Sequence, residues 1–202
     1  MITCHLGNGS SITAVEGGRS VDTSMGLTPL EGTIMGTRCG TIDPAIVIHL
    51  MQHEGLTVEQ VNELLNKKSG FLGMAGIDRS DVRDVLAAME KGHARAAAAI
   101  PALAHALRHS LGASPAVRPG RAAGVFPGGV GAQAAVSRAL VCHGAGGREK
   151  LGIRLDPEKN GSPGRSACSI EADGSPAAIL VIPTDEEKEI ARQTVSFLGL
   201  SA

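Results

Sequence analysis

The chain has no tryptophan and no tyrosine, and only three phenylalanines among its 202 residues. Proteins that bind single-stranded nucleic acid stack bases on aromatic side chains, so this composition sets that class aside. Charge of one sign is also lacking: 19 basic residues stand against 20 acidic ones, a formal net charge of −1. Nucleic-acid and anionic-membrane partners favour a basic excess, and neither partner is expected. No apolar run approaches the ~18 residues a membrane-spanning helix needs. No basic segment followed by an apolar one marks a secretory leader. The four cysteines, Cys4, Cys39, Cys142 and Cys168, form no C-x-x-C pair. A disulfide framework or a zinc site calls for closer, paired spacing, so they are read as reduced thiols of a cytoplasmic protein.

Several catalytic signatures are missing as well. The sequence holds no H-E-x-x-H, no G-x-S-x-G, no P-loop and no full G-x-G-x-x-G. His49 and His53 are four apart, as are His105 and His109, but no carboxylate stands by as a third metal ligand.

What is present is an aliphatic core and abundant glycine. Hydrophobic residues make up 43% of the chain, and glycines number 27. Residues 2–6 read as a strand, Gly7-Asn8-Gly9 as a hairpin turn whose residues tolerate positive φ, 11–15 as the returning strand and 19–24 as a third. Residues 25–40 form a Gly-, Thr- and Pro-rich loop. A helix follows from the N-cap Asp43 with Pro44 at its first position, ended by Gly55. Thr57 and Gln60 have capping-box spacing before the apolar face of Val61, Leu64 and Leu65. Residues 69–77 read as a connector, and Ser80 as the cap of a helix striped by Val82, Val85, Leu86 and Met89. Gly92 and Pro101 are expected to interrupt the alanine-rich segment beyond it. Leu103, Leu107 and Leu111 extend a helical period, and 114–120 is a loop. A short strand over 122–126, a helix over 132–141, a polar loop over 156–165, strands over 167–171 and 178–182, and a last helix from a Thr184/Glu187 capping box complete the chain. The mixture points to an α/β fold with a mixed sheet. The chain opens directly on an apolar strand, which is expected of a segment that begins inside a larger design.

Three glycine turns suit an anion: 7–9, Gly36-Thr37-Arg38-Cys39-Gly40 and Gly128-Gly129-Val130-Gly131. Glycine lets backbone N–H groups approach phosphate closely. Arg38, set on a bare loop, has the forked guanidinium that grips phosphoryl oxygens. Read from spacing alone, it is equally a solvated surface arginine. His5 abuts the first turn, as a candidate ligand or as a structural histidine. Glu186, in the first turn of the last helix, is a dipole-favoured acid that could also hold Mg²⁺ through oxygen.

Taken together, the segments resemble the acetate kinases of the acetate and sugar kinase/Hsp70/actin superfamily. His5-Leu6-Gly7-Asn8-Gly9-Ser10-Ser11 is similar to the family's phosphate-binding signature. Residues 22–32, Asp-Thr-Ser-Met-Gly-Leu-Thr-Pro-Leu-Glu-Gly, resemble its second signature, continued by Gly36–Gly40 and by Ile42-Asp43-Pro44-Ala45. Residues 64–73, 81–84, 151–160 and 181–187 also match. The resemblance implies a ribonuclease H-like, actin-like ATPase domain with a mixed sheet flanked by helices, one half of a two-domain kinase. On that basis residues 1–202 are the C-terminal nucleotide-binding domain, with the N-terminal domain absent. It further implies ATP/ADP and Mg²⁺ as cofactors, acetate and acetyl phosphate as substrates, and a homodimer. His5, Gly7, Asn8 and Gly9 would contact the nucleotide phosphates, and Arg38 would stabilise the phosphoryl group in flight. Asp81, Val82 and Arg83 would line the adenosine pocket together with Gly129, Val130, Gly131, Ala132 and Gln133. Glu186 would help place Mg²⁺. The family's adenine-side loop reads Gly-Ile-Gly-Glu-Asn, and here Gly131-Ala132-Gln133 lacks the acid. The acetate pocket, a second arginine, the catalytic aspartate and a further histidine belong in the family to the preceding domain. Two alternatives stand beside acetate kinase: a non-catalytic nucleotide-binding or dimerising fragment, and a propionate or butyrate kinase relative.

Overall fold

Strand alternation and turn chemistry organise the first part of the chain. β1 (Ile2–Leu6), β2 (Ser10–Glu16) and β3 (Arg19–Thr23) form an antiparallel meander. Along β2, Ser10, Ile12 and Ala14 are buried while Ser11, Thr13 and Val15 are half-exposed. Gly17 and Gly18, with φ of 54° and 78°, close the β2–β3 hairpin in two residues, the turn that matches strand twist. The β1–β2 connection departs from the expected left-handed Asn-Gly turn. Three residues join the paired Leu6 and Ser10, and none of Gly7, Asn8 or Gly9 has positive φ.

The computed structural model describes residues 1–116, 123–127, 132–142, 153–164, 166–183 and 185–199, with the backbone alone at 113–116, 123, 127, 132–134 and 186. β4 (Ala123–Pro127) joins β1 in parallel, β6 (Ala178–Ile182) joins β4 in parallel, and β5 (Cys168–Ser169) lies antiparallel to β6. The sheet order is β3-β2-β1-β4-β6-β5. This is the mixed α/β sheet the sequence implies. β5 is shorter than expected because Glu171 ends the ladder. Its carboxylate Oε2 accepts the Ile179 N–H at 2.9 Å, where a strand carbonyl would otherwise stand.

Eight helices are described: α1 (Ala45–Gln52), α2 (Val58–Lys67), α3 (Gly70–Ala75), α4 (Val82–Glu90), α5 (Ala94–Ala116), α6 (Ala132–Cys142), α7 (Pro157–Gly161) and α8 (Glu186–Phe197). Local signals place several of their ends. Asp43 Oδ1 accepts from Ala45 N at 2.9 Å, and Gly55 closes α1 with φ of 66°. The Thr57/Gln60 capping box is made from both sides, at 3.3 and 2.8 Å.

Several expectations are corrected. The N-cap of α1 is Pro44, one residue after the expected Asp43. The connector over 69–77 contains α3, whose first N–H groups are met by carbonyls of a remote loop rather than by a local cap. The cap of α4 is Asp81, not Ser80; its carboxylate accepts the Arg83 N–H at 2.8 Å. Pro101 does not interrupt α5, and Ser114, Pro115 and Ala116 belong to its last turn. An interior proline costs a helix about 3 kcal/mol. Here Pro101 faces solvent, and the buried stripe of Ala96, Ile100, Leu103, Leu107 and Leu111 outweighs that cost at roughly 1.5–3 kcal/mol per large side chain. The polar 156–165 stretch contains α7, started by Asp156 as N-cap with Pro157 behind it. Thr184 lies outside the described residues, and the cap of α8 is Asp185, which accepts from Lys188 N at 3.0 Å.

The core lies between the sheet and the α3–α4–α5 layer, with α5 reaching β2. Cys4, Val85, Leu107, Ile170, Ile179 and Val181 are among its most buried side chains. The four cysteines are free thiols. Burial pushes Cys4 up to about 12, with help from neighbouring Cys142. Burial also pushes Cys142 up to about 12, against the opposing pull of Arg138. Folding therefore favours the neutral thiols over their thiolates. Their contribution is complete below the unfolded thiol value and is lost as pH rises toward 12. Unfolding free energy is expected to fall above pH ~9 by roughly 1 kcal/mol per pH unit for each thiol. Urea titrations of wild type and Cys142→Ala at pH 8 and 10.5 measure it. An equal alkaline loss in the two proteins would refute the assignment to this thiol.

Candidate active site

The Gly7–Gly9 loop projects from the end of β1, and its own hydrogen bonding shapes it: Gly7 N donates to Gly9 O at 3.0 Å. Among the described residues no acceptor takes the N–H of Asn8 or Gly9. Gly36 donates its N–H to Asn8 O at 2.9 Å, which seats the 35–39 loop against this one. Each loop presents a glycine where they touch. A Cβ at Gly36 would overlap Asn8 Oδ1, and one at Gly9 would lie 3.3 Å from Arg38 Nη1. At the other end of the loop, a Cβ at Gly7 would lie 3.8 Å from His5 Nε2. The imidazole thus lies near the first residue of this three-residue loop and the guanidinium near its last.

Arg38 is half-buried, donating weakly from Nη1 to Pro29 O at 3.4 Å. Among the described residues no carboxylate lies within ion-pair distance of it. Its fork remains available to an incoming anion, beside two uncommitted backbone N–H groups. The loop that carries it leaves β3 and closes on itself: Thr41 N donates to Gly32 O at 2.9 Å, and Gly32 N donates to Thr41 Oγ1 at 3.2 Å. Gly40, at φ of 73°, passes so near the backbone that a Cβ would lie 2.7 Å from both Gly32 O and Thr33 O.

Asp81, Val82 and Arg83 begin α4, which packs on α3 and α5. Asp81 takes a forked bond from Arg83, Nε to Oδ1 at 3.1 Å and Nη2 to Oδ2 at 2.7 Å. That hydrogen bond, with the carboxylate's charge, holds the Arg83 guanidinium above its ordinary value. Gly129, Val130 and Gly131 lie outside the described residues. Ala132 and Gln133 open α6 and Glu186 opens α8, each described by its backbone alone. Among the described residues no group of three His, Cys, Asp or Glu side chains gathers as a metal site. The His49 and His53 rings stack at 4.8 Å without a third ligand. A cavity of about 250 Å³ between β2, β3 and α5, bordered by Asp22, Glu31 and His109, touches none of the candidate residues. No described helix is long and apolar enough to cross a membrane.

Two structural features carry no clear mark in the sequence. One is Arg138 on α6, 2% exposed and bound to Asn160 of α7. The other is Gly70, at φ of 58°, which lies against the backbone of the 35–38 loop. A lone glycine at the head of an apolar run was the available signal for Gly70.

The likeness to known proteins runs along almost the whole chain. The profile of the acetokinase family matches residues 1–192. An acetate kinase of Dictyoglomus turgidum is 52% identical over 199 residues, covering 98% of this chain and 48% of that protein. The crystal structure of the Porphyromonas gingivalis acetate kinase superposes with a TM-score of 0.86 at 40% identity, over 98% of this chain and 48% of the other. A propionate kinase from Francisella tularensis gives 0.83 at 39% identity, over 95% and 47%. The chain spans about half the length of these relatives. The mixed sheet, the glycine loop at the end of its first strand and this breadth of likeness agree that the chain belongs to the acetokinase family.

Proposed function

We propose that this chain is the nucleotide-binding half of an ATP- and Mg²⁺-dependent kinase that phosphorylates a short carboxylate, acetate first, to an acyl phosphate. The observation that carries this reading is the Gly7–Gly9 loop, with His5 near its first residue and Arg38 near its last. Two backbone N–H groups without an acceptor among the described residues, with a guanidinium beside them, suit the terminal phosphates of a nucleotide. Phosphoryl transfer asks little covalent work of a protein; positioning and charge stabilisation do most of it. In this reading the loop amides and His5 hold the phosphate chain. Arg38 meets the charge that spreads over the equatorial oxygens of the phosphoryl group as it moves. Glu186 is the carboxylate that would help hold Mg²⁺, which when bound would neutralise charge on the nucleotide phosphates. Asp81, Val82, Arg83 and residues 129–133 take the adenosine end.

The carboxylate acceptor belongs to the part of the relatives this chain does not cover. Acetate and propionate kinases superpose on it about equally well, which supports a short carboxylate as the acceptor class. A second reading, a nucleotide-binding piece that self-associates without turnover, draws on α1. None of its residues is buried, and Ile46, Ile48 and Met51 are 43%, 55% and 38% exposed. An apolar surface of this kind suits self-association. Calorimetry of the 202-residue chain with Mg²⁺–ATP, beside a hydroxamate assay with acetate, tests both readings. Binding with turnover supports the first and binding without turnover the second. No detectable nucleotide binding would sink both. Sedimentation of the same sample as a clean monomer would remove the dimer.

A further inference from the structure

We propose that Gly70 is a positioning residue for Arg38: its left-handed backbone and missing side chain let the α2–α3 junction clamp the arginine loop in place. The inference rests on the phosphate-binding reading for its consequence, but the clamp itself stands on geometry. Five hydrogen bonds cross between the junction and the loop. Phe71 N donates to Met35 O at 2.9 Å, Leu72 N to Gly36 O at 3.0 Å, and Ser69 N to Thr37 O at 3.0 Å. From the loop side, Cys39 N donates to Leu65 O at 2.9 Å and Thr37 Oγ1 to Asn66 O at 2.9 Å. Every residue from Met35 to Cys39 except Arg38 is thereby tied to the junction. The guanidinium bearer is held by its neighbours on both sides while its own side chain stays available.

Gly70 lies at the centre of this lattice. A Cβ there would overlap Met35 O and lie 2.7 Å from Arg38 O and 3.1 Å from Arg38 N. These are backbone atoms, so no rotamer change can relieve the clash. The φ of 58° adds a second restriction, since a side chain is rarely accommodated there. The loop would have to lift from the junction, carrying Arg38 away from Gly9. Gly92 separates the two effects. It has φ of 83°, but a Cβ there would meet nothing within 4 Å, so Gly92→Ala carries the backbone penalty without the collision.

The test compares Gly70→Ala, Gly92→Ala, Arg38→Ala and the Gly70→Ala/Arg38→Ala pair in the 202-residue chain. Hydrogen exchange needs no ligand. Gly70→Ala is expected to speed exchange at the Gly36, Cys39 and Phe71 amides by about tenfold or more over Gly92→Ala, the signature of local opening. With Mg²⁺–ATP, Gly70→Ala should weaken binding by about tenfold, and it should add nothing once Arg38 is alanine, as expected of coupled residues. Equal exchange in the two glycine variants would overturn the clamp. A binding loss that adds in full to that of Arg38→Ala would overturn its link to the arginine. If wild type binds no ATP while Gly70→Ala still frees those amides, the clamp stands and the nucleotide reading falls. Should Gly70→Ala fail to fold, Thr37→Val carries the same exchange test, since it removes one clamp bond at little change in volume. Unchanged exchange at Cys39 and Gly36 in that variant would refute the proposal.

Discussion

Arg38→Ala is expected to lower acyl phosphate formation by about 10³-fold or more, the scale seen when an arginine leaves a phosphoryl-transfer site. The fold should hardly notice. The side chain makes a long 3.4 Å bond to Pro29 O and a 3.8 Å approach to Met35 Sδ. Losses of that kind cost about 0.5 kcal/mol or less. Arg38→Lys should recover little, because an ammonium keeps the charge but not the planar fork. The pair of variants therefore separates charge from geometry. A hydroxamate assay on the gene product, with melting curves alongside, measures both effects. Activity of Arg38→Ala within about threefold of wild type would remove Arg38 from the site.

The largest loss of stability is expected at Arg138, away from the candidate site. This guanidinium is 2% exposed, and no carboxylate pairs with it among the described residues. Its Nε donates to Asn160 Oδ1 at 2.7 Å and its Nη2 to Asn160 O at 2.9 Å. Asn160, itself buried, passes the connection on from Nδ2 to Ala135 O at 3.0 Å. One fork therefore pins α6 to α7. Burial lowers the guanidinium's pKa, and the nearby thiols of Cys168 and Cys142 oppose that. Arg138→Met fills most of the volume but leaves both Asn160 oxygens without their charged donors. The expected cost is about 3 kcal/mol, since stranded buried acceptors and lost charged bonds are each expensive. For a chain of this size that lowers the melting temperature by on the order of 6–12 °C. Arg138→Lys should restore only part of it, because one ammonium cannot reach both oxygens in the same plane. A melting curve for Arg138→Met that overlays wild type would show that the fork contributes nothing.

Arg138 also shows where reading the chain residue by residue stops. In sequence it is one arginine in an alanine-rich helix, and such a residue ordinarily faces water. Asn160 stands in a polar stretch that reads as a loop. Neither signal is weak by itself; their pairing spans 22 residues and depends on how α6 and α7 meet. Pro101 teaches the converse. Its local rule, that proline ends a helix, is sound, and a buried stripe on the opposite face overrode it. Gly70 was visible as a glycine, but its purpose depends on a loop more than thirty residues earlier.

Features whose cause and effect lie within a few residues were legible from the start: the β1–β2–β3 meander, the Thr57/Gln60 box and the helix it opens. The family resemblance carried by their motifs named His5, the 7–9 loop and Arg38 as candidates; their functional grouping is the proposal tested above. Tertiary structure alone decided the rest: that Gly70 makes room for the backbone of the arginine loop, that Asp81 and not Ser80 caps α4, and that α3's open N–H groups find the carbonyls of the arginine loop. The physical reason is common to all three. A backbone donor or a missing side chain acquires its meaning from the atom that comes to face it, and that atom is chosen by chain closure and core packing, not by neighbours in sequence.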